Sequence, residues 1–297
     1  MGWRIVYIED AVNVRLYLDN VKVEKETNSV TIPLADIHTL IIDNYKINLS
    51  VQLITKCSEY NINLILCSIN HMPQTISQPF TGNFQTPLML KKQLEWSESY
   101  KLLIHKLIIK NKIFNQKELL IKLNKSLEVI TKLNEFMNEV DEGDTKNREG
   151  LSAKMYFREL FGSKFKRFDE DVINYGLNYG YSILRSQISK TIIAKGLNPC
   201  IGIIHKGYNN PFNLSDDIIE VFRPIIDFYV FNNMLESIVF KKDDRLGLIK
   251  STTQDVKIDG VRQSLFNAIG IFIDGIITMF DCGDISKFKK IELLYEL

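Results

Sequence analysis

The sequence predicts an α+β protein in which a mostly antiparallel β-sheet domain is followed by a larger, all-helical domain. Apolar and polar residues alternate in short runs near the N-terminus, as expected for strands. Prolines, a glycine and polar residues then break every regular period, and from Leu88 onward the periodicity is helical. We therefore predict a sheet domain over residues 1–72, a linker over 73–87 and a helical domain over 88–297.

The predicted strands are short and are separated by polar turns. The clearest strand runs from Asn13 to Leu18, and Asp19-Asn20 after it suits a hairpin connection. A helix is expected from about Ser50 to Tyr60, with Ser50 as its N-cap, between two further buried strands. The strands are predicted at residues 4–9, 13–18, 21–25, 30–34, 38–43 and 61–68.

The second domain shows six helical segments. Pro224 is expected to kink the fifth, because proline cannot donate a backbone hydrogen bond. The last residues, 288–297, suit either a short helix or a frayed tail. The segments are predicted at residues 88–112, 115–139, 149–162, 169–195, 215–240 and 258–280.

The composition is that of a globular protein with a sizeable core, since 45% of the 297 residues are hydrophobic. Residues 1–9 lack a basic segment followed by an apolar run, and no uninterrupted apolar stretch approaches about 18 residues. We therefore expect a cytoplasmic protein outside the membrane. Its cysteines form no CxxC pair, so we expect four reduced, mostly buried thiols. They are Cys57, Cys67, Cys200 and Cys282.

The charge distribution is uneven, although the net charge is only +1. Residues 86–132 contain ten lysines and four glutamates, which leaves a local excess of six positive charges. Such a segment is typical either of solvated helix faces or of a surface that binds nucleic acid. The sequence pattern alone leaves both interpretations open.

Glu149 lies on the apolar face of its predicted helix, with Tyr156 and Leu160 at helical spacing from it. An ionised carboxylate turned toward a core is costly unless it is paired or binds a metal. The alternative is an acid that is stabilised by the helix dipole, because Glu149 is close to the N-terminus of the segment.

Two further regions carry candidate chemistry. His205 follows an apolar run in a glycine-bounded stretch that is typical of a loop, where histidine can act as a ligand, as an acid or base, or as a packed side chain. Asp217 and Glu220 share a helix face, where the alternative is a capping or solvated acid. His38, His71 and His105 have no acidic cluster near them in the sequence and receive no role.

Glu149, His205 and Glu220 together offer two carboxylates and one imidazole, a set that suits Mg²⁺ or Mn²⁺. Their separation in the chain is too wide to be a diagnostic motif. No P-loop, GxSxG, HExxH or GxGxxG sequence favours a different chemistry.

Four ordered motifs carry a resemblance to a known family. They occur at residues 147–157 (NREGLSAKMYF), 177–184 (LNYGYSIL), 197–205 (LNPCIGIIH) and 212–224 (FNLSDDIIEVFRP). In this order they resemble the CRISPR-associated integrase family. The opening Gly2-Trp3-Arg4 and the length are most similar to the branch found in type II systems, whose effector is a single RNA-guided nuclease.

The resemblance implies that Glu149, His205 and Glu220 are catalytic metal ligands for Mg²⁺ or Mn²⁺, with Asp217 as an accessory acid. Many family members have aspartate in place of Glu220, so the division of roles between Asp217 and Glu220 stays open. His205 can ligate the ion or transfer a proton, and we favour ligation. Two basic residues next to the ligands are candidates for phosphate contacts. They are Arg148 and Lys206.

The reaction implied by the resemblance is transesterification, in which the 3′-hydroxyl of a DNA fragment attacks a phosphodiester at the edge of a CRISPR repeat. The expected assembly is a homodimer formed through the sheet domain, with a small ferredoxin-like subunit completing a heterohexamer on DNA. The other adaptation proteins and the effector nuclease of a type II system are further expected partners. The alternatives are a structure-selective metal-dependent DNA endonuclease and a catalytically idle DNA-binding scaffold.

Overall fold

The computed structural model describes residues 2–79 and 82–296, and the chain divides into two compact units. The first unit comprises Met1–Pro87 with Ile193–Gly196, and the second comprises Leu88–Ile192 with Leu197–Leu297. Strands dominate the first unit and helices the second, which confirms the predicted α+β class.

The described residues of the first unit form two four-stranded sheets, with one α-helix and a short 3-10 helix (Leu34–Asp36) between strands. The strands and the α-helix are β1 (Arg4–Ile8), β2 (Asn13–Tyr17), β3 (Asn20–Glu24), β4 (Ser29–Pro33), β5 (Ile37–Ile42), β6 (Asn48–Leu49), α1 (Val51–Glu59), β7 (Asn63–Cys67) and β8 (Pro73–Ser77). One sheet has the strand order β1-β5-β7-β8 and the other β4-β3-β2-β6.

Strand direction differs from the mostly antiparallel prediction. Strands β2, β3 and β4 form the predicted antiparallel meander, but β1, β5 and β7 run parallel to one another. Every residue of β5 is buried, a pattern typical of parallel strands that are covered on both faces. Strand β8 pairs antiparallel with β7 and lies within the predicted linker 73–87, so that part of the segment is ordered sheet.

Local signals in the first unit act at or next to the predicted positions. The turn between β2 and β3 lies at Leu18-Asp19, one residue before the predicted Asp19-Asn20, with φ angles of 45° and 52° as a tight hairpin requires. Ser50 caps α1 by accepting a hydrogen bond from Leu53 N, which confirms the predicted N-cap. All four cysteines are free; two are buried, but Cys200 and Cys282 are exposed, contrary to the expectation of mostly buried thiols.

The helical part of the chain also contains a three-stranded antiparallel sheet, formed by residues 255–258, 261–264 and 291–293, so it is not purely helical. The helices and strands are α2 (Thr86–Leu94), α3 (Glu98–Lys122), α4 (Leu127–Glu139), α5 (Arg148–Phe161), α6 (Val172–Ala194), α7 (Asn213–Ile219), α8 (Pro224–Met234), α9 (Lys242–Ser251), β9 (Asp255–Ile258), β10 (Val261–Ser264), α10 (Leu265–Cys282) and β11 (Ile291–Leu293). The last strand replaces the short helix or frayed tail expected for residues 288–297.

Four predicted helices have different bounds in the structure. The segments predicted at 88–112 and 115–139 form three helices, α2, α3 and α4: Ser97 caps a new helix, and the predicted gap at 113–114 lies inside α3. The segment predicted at 258–280 begins only at Leu265, because Asp259 and Gly260 have positive φ angles and turn the chain into the β9–β10 hairpin. The segment predicted at 215–240 divides into α7 and α8, and Pro224 is the first residue of α8. A proline is well tolerated there because the first turn of a helix does not need its N–H.

Helix α3 contacts several parts of the second unit through buried amides. Asn111 exchanges two hydrogen bonds with the backbone of Ile291 in β11, at 2.7 and 2.8 Å. Asn115 donates to the carbonyl oxygen of Val221 at 2.9 Å. Because Val221 follows Glu220 directly, this bond holds the end of α7 against α3.

A buried carboxylate links three of these helices. Asp227 on α8 accepts hydrogen bonds from Tyr156 on α5, at 2.8 Å, and from Tyr181 on α6. Burial raises the pKa of Asp227 to about 6, although both hydroxyl groups favour its charged form. The network fixes the orientation of α5 and therefore of the residues at its N-terminus.

Within the described part of the chain, one helix is long and apolar enough to cross a membrane, judged by length and composition alone. That helix is α10. Its Phe272 is fully buried and packs edge-on against Phe222 and Phe288, as in the core helix of a folded domain.

Candidate metal centre

Glu149 is the second residue of α5, and other side chains cap that helix. Asn147, in the left-handed conformation, accepts from Gly150 N at 3.3 Å, and Asp144 accepts from Glu149 N at 2.9 Å. The carboxylate of Glu149 is therefore not needed as a cap. It contacts Lys112 of α3 instead.

Lys112 joins two of the predicted ligands. Its Nζ lies 2.6 Å from Glu149 Oε1 and 2.5 Å from Glu220 Oε2. The side chain is only 10% exposed. Burial alone would lower the pKa of Lys112, but the charges of Glu220 and Glu149 outweigh it and raise that pKa. The two carboxylates thus converge on one position that a cation already fills.

Glu220 follows the last residue of α7 and is 7% exposed. Its Oε1 lies 2.9 Å from Nε of Arg223. Oε2 is close to Lys112, but the geometry is not that of a hydrogen bond, so this buried oxygen keeps unused accepting capacity. Burial raises the pKa of Glu220, yet Arg223 and Lys112 outweigh it and bring the pKa to about 2. The group is ionised at neutral pH.

His205 lies in the loop between α6 and α7, and Asp217 orients it. Asp217 Oδ1 lies 2.7 Å from Nδ1 of His205, and the same carboxylate accepts from the backbone N–H groups of Ile203, Ile204 and His205. The hydrogen bond to Asp217 raises the pKa of His205. Nε2 remains as the ring atom available to a ligand, since a carboxylate on the other nitrogen is the usual support of a metal-binding histidine.

The donor set fits Mg²⁺ or Mn²⁺ in its chemistry, because both ions prefer carboxylate oxygens and Mn²⁺ also accepts imidazole. The Lys112 ammonium marks where positive charge is stable between Glu149 and Glu220. The ligand atoms of these two residues and His205 do not all lie within 4.8 Å of one another. Binding an ion through all three would therefore require side-chain movement. We call Glu149, Glu220, His205 and Lys112 the helix cluster.

Of the residues that the structure describes, one other group satisfies the 4.8 Å criterion. Glu9, Asp43 and His71 lie at one edge of the β1-β5-β7-β8 sheet, with ligand atoms all within 4.8 Å of one another. Glu9 and Asp43 directly follow β1 and β5, whose carboxyl ends share an edge because the strands are parallel. His71 has no acidic cluster near it in the sequence, but the fold brings two carboxylates next to it. We call these three residues the strand-edge cluster.

The two predicted phosphate contacts face other partners. Arg148 lies 2.8 Å from Glu139 and stacks over the ring of Phe136. Lys206 is exposed and lies 3.1 Å from Glu98. Both side chains form ion pairs within the second unit.

Sequence reasoning missed two residues near the predicted ligands. Lys112 is one of ten lysines in its segment and the one among them that is buried, and only its position seven residues after His105 on the same helix face could have marked it. His105 is half-buried, and its Nδ1 has no hydrogen-bond partner among the described residues. Burial lowers the pKa of His105, while Glu149 and Asp217 act in the opposite direction. His105 is thus a second imidazole, besides that of His205, close to the charges of the predicted site.

Fold and site together define an α+β protein with a candidate divalent-cation centre in its helical unit. Residues 6–253 match the family described as CRISPR associated protein Cas1, and the chain belongs to that family. The chain is also 31% identical to the CRISPR-associated endonuclease Cas1 of Neisseria meningitidis serogroup C (strain 8013), over 98% of this chain and 95% of that protein.

Solved structures share the fold at lower identity. A casposase bound to integration product superposes with a TM-score of 0.75 at 18% identity, covering 96% of this chain and 92% of that chain. A chain of a Cas6-RT-Cas1–Cas2 complex gives a TM-score of 0.76 at 17% identity, covering all of this chain and 36% of that chain. The architecture is therefore that of the family.

Proposed function

We propose that this protein is a metal-dependent DNA integrase of CRISPR adaptation, which inserts short DNA fragments into a CRISPR array by transesterification. Membership of the Cas1 family supports this proposal, as do a relative named as an endonuclease and a neighbour bound to an integration product. The observation that carries the site assignment is the convergence of Glu149 and Glu220 on one buried cation position.

In the proposed site, Glu149, Glu220 and His205 hold Mg²⁺ or Mn²⁺. The ion supplies Lewis-acid stabilisation of charge on the phosphate that is attacked. Asp217 keeps the His205 ring in place through Nδ1 and holds the loop through three backbone N–H groups. This assigns Asp217 to positioning and Glu220 to ligation, because both Asp217 oxygens are already engaged.

The proposed partners are DNA, a second copy of the chain and a small ferredoxin-like subunit in a heterohexamer. The other adaptation proteins and the effector nuclease of a type II system are proposed as further partners, all in the cytoplasm. Dimerisation through the first unit is supported by exposed apolar side chains of Trp3, Tyr17 and Val30, and by β4 at a sheet edge. A Cas1–Cas2 complex among the structural neighbours supports the small subunit.

A strand-transfer assay tests the proposal directly. Labelled fragment, a plasmid with CRISPR repeats, the small subunit and Mg²⁺ or Mn²⁺ are combined with intact protein or with Glu149→Ala, His205→Ala or Glu220→Ala. The rate of joining should fall at least about 100-fold in each variant. Removing even a residue that only hydrogen-bonds to a metal ligand lowers metal affinity or activity by about 10–100-fold. Glu9→Ala is the control from the strand-edge cluster and should retain joining.

Undiminished joining by Glu149→Ala would overturn the site assignment. A structure-selective endonuclease is the second candidate, which the name of the Neisseria relative favours. That activity would appear as metal-dependent cutting of branched DNA without any joining. DNA binding with neither reaction would indicate a scaffold.

A further inference from the structure

Three arginines surround a small cavity in the second unit, apart from the proposed metal ligands. The cavity has a volume of 310 Å³ and lies between α6 and the turn that joins α7 to α8. Its other polar lining residues are Asn178, Tyr181 and Ser182 of α6 and Asp216 of α7. The arginines are Arg167, Arg185 and Arg223.

Aromatic rings and amides hold the three guanidinium groups in place. Arg167 and Arg223 both lie over the ring of Tyr181, at 5.3 and 4.6 Å from its centre, and Arg185 lies 4.7 Å from the centre of Phe212. The guanidinium of Arg167 also donates to the side-chain oxygens of Asn174 and Asn178, at 2.8 and 2.9 Å. Groups that are already ordered lose little conformational entropy when they bind an anion.

Hydrogen-bonding capacity at the cavity is left over. The Nε atoms of Arg185 and Arg223 are buried and have no hydrogen-bond partner in the described part of the chain. Arg185 approaches Asp216 only to 3.6 Å, and Arg223 pairs with Glu220 without hydrogen-bond geometry at Nε. The Arg185 guanidinium forms no hydrogen bond to Asp216 at this distance, so a ligand rich in acceptor oxygens suits the cavity.

The charges favour an anion. Three guanidinium groups and one carboxylate, that of Asp216, line the cavity, while Glu220 pairs with Arg223 outside the lining. Arginine binds phosphate oxygens through two parallel N–H bonds, a geometry that suits this constellation. Arg223 links the cavity to the helix cluster, because it contacts Glu220.

We propose that this arginine cavity binds a backbone phosphate of the DNA strand that enters the helix cluster. The inference rests on the proposed function for the identity of the ligand. Phosphate contacts of this kind set the register of a strand without reading its sequence. Arg167 and Arg185 are therefore positioning residues for the DNA.

Binding without divalent metal separates this inference from catalysis. Fluorescence anisotropy of labelled DNA, measured in EDTA over a salt series, compares intact protein with Arg167→Gln and Arg185→Gln. Each variant should bind about 10-fold more weakly, with a salt slope reduced by about 1, as the loss of one phosphate contact predicts. Arg158→Gln, at an exposed arginine of α5, is the matched control and should keep both values.

A phosphate scan then places the contact on the strand. Single phosphates of the DNA are replaced by uncharged methylphosphonates. At one position the replacement should weaken DNA binding by intact protein but should not weaken DNA binding by Arg185→Gln any further. Arg185→Lys should recover part of the salt slope but not the full affinity, because lysine keeps the charge without the paired donors. Thermal melting of each variant checks that it is folded.

Wild-type affinity and slope in both glutamine variants would overturn the inference. If inorganic phosphate stabilises intact protein but not Arg185→Gln, while DNA affinity is unchanged, the cavity binds free phosphate and the DNA assignment is wrong. Failure of joining by intact protein, with arginine-dependent DNA binding preserved, would instead overturn the proposed function alone.

Discussion

The strand-edge cluster and the helix cluster each contain two carboxylates and one histidine but balance their charges differently. In the strand-edge cluster the ligand atoms lie within 4.8 Å of one another, and His71 pairs with the fully buried carboxylate of Asp43 at 2.9 Å. In the helix cluster the ligand atoms are more widely spaced, and Lys112 and Arg223 supply two full positive charges to two carboxylates.

We therefore take short distances between ligand atoms as a weaker sign of a cation site than a lysine ammonium already held between two carboxylates. Glu149 and Glu220 are held in position by an ammonium, so their arrangement does not depend on metal. The same ammonium must leave, at least in part, when a metal ion takes both carboxylates. Metal binding and lysine pairing are therefore expected to compete in the helix cluster alone.

The largest effect is expected from Lys112→Met, which leaves the buried carboxylate of Glu220 facing the partly buried carboxylate of Glu149. Removing one partner of a buried ion pair costs about 3–5 kcal/mol of stability. Mn²⁺ should restore much of this loss and should bind the variant more tightly than intact protein. Urea denaturation with and without Mn²⁺, together with calorimetric titration, measures both quantities.

Lys132→Met is the control for that experiment. Lys132 pairs with Glu135 at 2.6 Å, but both side chains are about half exposed. Its replacement should therefore lower the free energy of unfolding by less than about 1 kcal/mol. Equal metal affinity in Lys112→Met and intact protein would contradict competition between lysine and metal.

The second effect concerns Asp217, whose carboxylate supports His205 in the helix cluster. Asp217→Asn should weaken Mn²⁺ binding by about 10–100-fold, because outer carboxylates orient histidine ligands and raise their basicity. Asp43→Asn, in the strand-edge cluster, is the comparison and should leave Mn²⁺ binding at the helix cluster unchanged. Manganese titration followed by electron paramagnetic resonance would distinguish the two variants. If Asp217→Asn binds Mn²⁺ normally, His205 is not a ligand.

A third effect is a pH dependence of stability that comes from Asp227, whose hydrogen bonds orient α5 and so support the helix cluster. The pKa of Asp227 is about 6 in the folded protein and about 3.9 in unfolded chains. The folded state therefore binds this proton more tightly. Its stabilising contribution is complete below the unfolded pKa and is lost as the pH rises through 6, a change of about 3 kcal/mol over the whole titration. The free energy of unfolding of intact protein and of Asp227→Asn is measured from pH 4 to pH 7. Only intact protein should show this loss of stability as the pH rises.

The smallest effect is expected at the strand-edge cluster. The side chain of His71 is 42% exposed, and Asp43 retains the hydrogen bond from Tyr7 when His71 is replaced. His71→Gln should therefore reduce stability by no more than about 1 kcal/mol, as is usual for a solvent-exposed pair. Denaturation at neutral pH measures the change. A larger loss that Mn²⁺ prevents in intact protein would mean that this cluster also binds metal.

Local patterns in the sequence determined the elements that depend on neighbouring residues. Alternation predicted the β2–β4 meander, Ser50 was identified as a cap, and helical spacing placed Glu149 on the inner side of α5. The ordered motifs around Glu149, His205 and Glu220 also identified the family. These features could be predicted because turns, caps and periodicity act over only a few residues.

Only the tertiary structure decided the features that join distant residues. Parallel pairing of β1, β5 and β7 and the strand β11 depend on partners far away in the chain, which no local period encodes. Lys112 became part of the site because α3 brings it to two carboxylates, 37 and 108 residues later in the sequence. A buried charge is stable only beside its counter-charge, and folding alone determines which residues meet.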